Sequence, residues 1–147
     1  MVEVLIAASI IAVSVVAAMG VAQKSITVSR QAIHAAQAAF LLEEGAEAVR
    51  IFRDGAWTNI SGLSTGTDYY PTFSSNTWSL SATPSTVGIF TRKVTLAAVN
   101  RSDATGDISS SGSNDVGTRL VTVTVSWNED GRIITKTLSF YIMDIFS

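Results

Sequence analysis

Between Glu3 and Lys24 the chain runs for twenty residues without a charge, VLIAASIIAVSVVAAMGVAQ. Wound as an α-helix at about 1.5 Å per residue, that run covers roughly 30 Å, the hydrocarbon thickness of a bilayer. It is apolar on every face, so its solvent must be lipid or other helices. A secretory signal peptide fits poorly, because no basic region precedes the run and no small-residue cleavage site follows it. The run is also too long for a signal core. It predicts a stable helix of transmembrane type.

This segment accounts for an otherwise odd composition. Charged residues make up 15% of the 147 and hydrophobic ones 47%, and mean hydropathy is positive at +0.34. A soluble domain carries about a quarter charged residues. The length suits one domain with a real core. A net charge of -2 argues against general nucleic-acid binding, which uses a basic face. There is no Cys, which excludes disulfides, thiolate metal sites and Cys nucleophiles. His34 is the single histidine and reads as a packing or solvated side chain. Neither a phosphate loop, a dinucleotide fingerprint nor a zinc spacing occurs. No enzyme activity and no cofactor is expected.

The helical pattern continues past Lys24 to Asp54, where Asp54-Gly55 supplies a stop. Ile26, Ile33 and Phe40 recur every seven residues, and Leu41, Ala48 and Phe52 continue the stripe. Ala32, Ala35, Ala36, Ala38 and Ala39 keep one side thin enough for close packing. Glu47–Arg50 and Arg50–Asp54 are spaced as intrahelical ion pairs. One helix of about fifty residues follows, greasy in residues 1–23 and amphipathic in 24–54.

After Gly55, Ser, Thr, Gly and Asn dominate. The stretch from Trp57 to Pro84 reads as irregular and Gly88–Val99 as a strand. In Thr118–Trp127, Val121, Val123, Val125 and Trp127 alternate with Thr122, Thr124 and Ser126, the mark of a half-buried strand. A four-residue turn, Asn128–Gly131, returns the chain as Ile133–Ile142, with Ile134, Leu138, Phe140 and Ile142 toward the core. Arg101–Gly117 reads as a loop, and a last strand is expected to end at Ile145-Phe146. The fold class is α+β. Residues 1–54 form a long helix whose C-terminal half packs on a three- or four-stranded antiparallel sheet built from residues 55–147.

Several features allow a site. Asp103, Asp107 and Asp115 could surround Ca²⁺, although their spacing is not that of an EF-hand. Asn59-Ile60-Ser61 and Asn100-Arg101-Ser102 fit the glycosylation sequon. Trp57, Trp78, Trp127, Tyr69 and Tyr70 read as core or subunit-contact residues rather than a ligand platform. Glu3 stands out, because a carboxylate beside a membrane-length run needs a partner or the interface. Its position suits headgroups and the positive end of the helix dipole. It also suits the α-amino group of a neighbouring chain, cationic below its pKa of about 8. Such a pair would fix the axial register of one helix on the next.

Met1-Val2-Glu3-Val4-Leu5-Ile6-Ala7 and the apolar helix behind it resemble the mature N-terminus of type IV pilins and pseudopilins. Leu41 to Arg50 (LLEEGAEAVR), with Arg53-Asp54 and Trp57, also resembles a subset of bacterial pilin-like proteins. The acidic residue is third here and usually fifth in that family, and the family's leader peptide is missing, as in a mature form or a fragment. The resemblance implies a pilin-like fold and a structural role. It further implies a subunit that would sit in the inner membrane until a prepilin peptidase and an assembly machinery with a separate ATPase build it into a cell-surface homopolymer. Met1, Glu3, Val4, Leu5, Ile6, Ile10, Val13 and Val16 would make the assembly contacts. Gly20 falls where many pilins have a helix-breaking proline. It suggests unwinding over Ala17–Val21 in the filament, or else a close helix–helix contact. Adhesion, motility and DNA uptake are all outputs of such a filament. The alternatives are a pseudopilin or minor pilin, and a monomeric membrane-anchored binding module.

Overall fold

The computed structural model describes residues 1–145. Helix α1 runs Val2–Gly55 without a break, and short helix α2 covers Trp57–Ser61. The strands are β1 (Asp68–Ser74), β2 (Thr77–Ser81), β3 (Thr86–Val87), β4 (Phe90–Arg101), β5 (Ile108–Ser109), β6 (Ser113–Glu129) and β7 (Arg132–Met143). The chain divides into two compact units, Met1–Gln37 and everything from Ala38 onward. This boundary lies within the helix, seventeen positions before the composition change after Asp54.

The first unit is helix alone. All its residues are exposed except the half-buried Thr27 and His34. The expected unwinding over Ala17–Val21 does not occur in the isolated chain, where the helix continues through Gly20. One glycine costs a helix about 1 kcal/mol relative to alanine, and Ala17, Ala18 and Met19 are good helix formers.

In the second unit, α1 from Ala38 packs on an antiparallel sheet of α+β type. Its packing face is Ala38, Gly45, Ala46, Ala48 and Val49, with Leu41, Leu42 and Phe52 half-buried beside it. Leu41, Ala48 and Phe52 therefore lie on the packed face as expected. Ile26, Ile33 and Phe40 do not, being 70%, 58% and 71% exposed. Small residues win this face because the helix comes close. A Cβ on Gly45 would stand 2.7 Å from Val123 Cγ1 and 3.2 Å from Arg92 Cδ.

The sheet has seven strands rather than three or four, in the order β2-β1-β4-β6-β7, with β3 and β5 each pairing β4. The stretch from Trp57 to Pro84 is not irregular. It holds α2 and the β1–β2 hairpin, closed by Ser75 and Asn76 at φ of 51° and 61°. That two-residue turn matches the twist of the flanking strands. The β6–β7 turn is likewise two residues, Asp130 and Gly131, not four, with Glu129 already paired to Arg132. Within Arg101–Gly117, β5 and the start of β6 extend the sheet into the expected loop.

The central alternation is as read. Val121, Val123, Val125 and Trp127 are buried, and Thr122, Thr124 and Ser126 face away. Opposite them, Ile142 is buried and Phe140 and Ile134 are half-buried. Leu138 shares that face but remains 36% exposed, since β7 is the edge strand. One core cluster joins Ala46, Val49, Ile60, Leu96, Val121 and Val123; a second joins Ala38, Phe90, Val125 and Trp127. Phe90 and Trp127 meet edge-on at 5.5 Å. β7 ends at Met143, and the expected strand end at Phe146 lies outside the described residues.

Candidate functional site

The helix of the first unit is long and apolar enough to cross a membrane, and none of its apolar window is buried in the protein. Val4, Leu5, Ile6, Ile10, Val13 and Val16 are all exposed, at 55% to 72%. Its hydroxyls do not oppose burial in an apolar medium, because the helix satisfies them itself. Ser9 Oγ donates to Leu5 O at 2.7 Å and Ser14 Oγ to Ile10 O at 2.8 Å. Thr27 Oγ1 donates to Gln23 O at 3.1 Å, just past Lys24.

Glu3 lies in the first turn of α1, where the helix dipole favours an anion. Met1 is fully exposed, and its carbonyl accepts from Leu5 N at 3.4 Å. Among the described residues, the Glu3 carboxylate has no ion-pair or hydrogen-bond partner in its own chain. Gly20 has nothing within 4 Å of where a Cβ would stand, so an open notch faces outward there. Met1, Glu3 and the apolar positions thus form one exposed helical surface within the first unit.

The second unit carries two polar clusters; the sequence reading passed over the first, around Arg92, and read Asp115 of the second as a possible calcium ligand. Arg92 follows the parity of Phe90, Val94 and Leu96 and so points inward, 4% exposed. Its Nη1 donates to Glu44 Oε2 at 2.5 Å and its Nη2 to the Pro71 carbonyl at 3.3 Å. The guanidinium lies 5.5 Å from the Trp78 ring centroid. Helix, β1, β2 and β4 are all tied through this one side chain. The parity of Arg92 was the available signal, and charge alone argued for solvent.

At the far end of β4, Asp115 accepts from Arg101 Nε at 2.5 Å, Thr118 Oγ1 at 2.7 Å and Gly117 N at 2.9 Å. The hydrogen bond from Arg101, then that from Thr118, lowers its pKa to about 2. Asp103 accepts from Ser113 Oγ at 2.6 Å instead. The three aspartates do not converge, and no group of three acidic or histidine side chains that could hold a metal occurs among the described residues.

The remaining candidates have structural roles. Asn59 Nδ2 donates to Phe52 O at 2.9 Å, which occupies its amide at the end of α1. Asn100 lies inside β4, paired with strands on both sides. Trp127 and Tyr69 are buried in the core clusters, and Trp57 packs against one of them. The Tyr69 hydroxyl accepts from Ser64 N at 2.9 Å. Trp78 packs against Phe73 in a tilted ring pair, centroids 5.2 Å apart. Glu47 pairs with Arg50 as expected, whereas Asp54 pairs with Arg53 at 2.7 Å rather than with Arg50. Arg50 instead lies over the Phe140 ring at 5.1 Å. No family model, curated protein or solved structure matches the chain.

Proposed function

We propose that the chain is a structural subunit of a type IV pilus-like filament, held in the inner membrane by α1 and polymerised through the same helix. The observation that carries this reading is an exposed apolar helix from Val4 to Gln23, preceded by an acid, Glu3, that has no partner among the described residues. Neighbouring copies of the apolar helix can replace lipid around one another, so leaving the bilayer does not expose Val4, Leu5, Ile6, Ile10, Val13 or Val16 to water. Contacts of this head-to-tail kind do not close and so generate an open filament. The Glu3 carboxylate pairs with the α-amino group of the adjacent copy, selecting one axial offset where greasy surfaces alone would slide. The energy for extraction comes from a separate ATPase, and a prepilin peptidase prepares the subunit.

The test is electron microscopy and mass spectrometry of material sheared from cells carrying the native chain or Glu3→Ala. The native chain should dominate thin filaments, and Glu3→Ala should remain folded in the membrane fraction while filament yield collapses. Normal yield from Glu3→Ala would refute the register pair. A native chain that never leaves the membrane fraction would favour the pseudopilin or the anchored binding module.

A further inference from the structure

The sheet face turned away from α1 carries a second feature that does not depend on polymerisation. Leu120 and Tyr141 lie opposite one another on this face, next to the inward Val121 and Ile142. The β4–β6 register then breaks: Ala98 pairs with Arg119, but Val99 pairs with Asp115. Bulges of this kind bend a strand and re-aim its side chains, and they recur beside binding sites. Beyond the break, β5 joins at Asn100 and brings its own side chains alongside.

The result is a cavity of about 190 Å³ lined by Leu120, Ile108, Tyr141, Asn100, Ser109 and Ser110. Among the described residues, no charged one lines it. The Ser109 hydroxyl already accepts from Ser111 N at 3.3 Å. The Asn100 amide and the Ser110 and Tyr141 hydroxyls have no hydrogen-bond partner among the described residues. Tyr141 is 49% exposed and Ile108 43%, so the ring and the aliphatic wall are both accessible.

A ligand that fits must be uncharged and small. It needs one apolar face for the Tyr141 ring and Leu120, and edge hydroxyls for an amide and two hydroxyls. A pyranose ring has both, with C–H bonds on its face and hydroxyls around its edge. We infer that this cavity is a subsite for one neutral hexopyranose unit of a glycan, with Tyr141 stacking on the sugar and Asn100 and Ser110 reading its hydroxyls.

Saturation-transfer NMR on the full chain in zwitterionic micelles tests this, since glycoside detergents would compete. The probes are the methyl glycosides of glucose, galactose, mannose and N-acetylglucosamine. Transfer to the ring protons of at least one is expected, with an affinity loss of about tenfold in Tyr141→Ala and about fivefold in Asn100→Ala. Thr124→Ala, on the same face but outside the cavity, should change nothing. Circular dichroism checks each fold; if Tyr141→Ala is unfolded, Asn100→Ala combined with Ser110→Ala decides in its place. No transfer to any of the four sugars, or transfer that the folded cavity variant retains in full, overturns the assignment.

Discussion

Asp115 shows what one carboxylate does at the end of the sheet. It gathers Arg101, Thr118 and the Gly117 amide, while Arg101 also donates to the Gly106 carbonyl at 3.0 Å. The segment between β4 and β6 is thereby strapped to the strands it connects. Because the folded-state pKa, about 2, lies below an unfolded value of about 3.9, the carboxylate stabilises the fold above that unfolded value. That contribution fades as the pH falls from about 4 toward about 2. Asp115→Asn should therefore melt at a lower temperature than the native chain at pH 7. The gap should narrow at pH 2 to 3, measured by thermal circular dichroism at both ends. A gap independent of pH would show that the charge of this residue is immaterial.

Two glycines inside α1, Gly20 and Gly45, separate helix propensity from packing. Gly20 has open space around it, so Gly20→Ala should stabilise the helix by about 1 kcal/mol. Gly45→Ala gains the same propensity but drives a methyl group to 2.7 Å from Val123 Cγ1, and such overpacking costs about 1–3 kcal/mol. It should lower the melting midpoint, while Gly20→Ala should raise or preserve it; the opposite order would contradict the close approach of helix and sheet. At this scale the sequence was legible wherever periodicity was strong. The length of α1 and its stop at Gly55 were readable, as were the alternation from Val121 to Trp127 and the β7 return. The β1–β2 hairpin was missed because Pro71 and a Ser-Asn turn hide a short strand pair. The inward Arg92 was missed because burying a guanidinium depends on Glu44, forty-eight positions away. A register break such as that at Ala98/Val99 leaves no local pattern, so the cavity beside Tyr141 was invisible.

For the molecule as a whole, the apolar run sets how the chain can be handled. Val13 lies near its middle and is 70% exposed. An Arg there costs about 2.5–3.5 kcal/mol in membrane insertion. The native chain should resist alkaline extraction from membranes, whereas Val13→Arg should appear substantially in the extract. Equal retention of both would mean that the helix is not embedded.

Four antiparallel pairings separate the two outer strands, β2 and β7, so both edges run in the same direction. Apart from the two-residue β3 and β5, which run opposite to β4, two copies standing the same way up can therefore meet edge to edge only as parallel neighbours, the weaker pairing. The stronger antiparallel match would require one of them to be inverted. Crowding in a common orientation thus discourages the open rims of the sheet from adhering, and an even number of strands along the same path would have removed that protection.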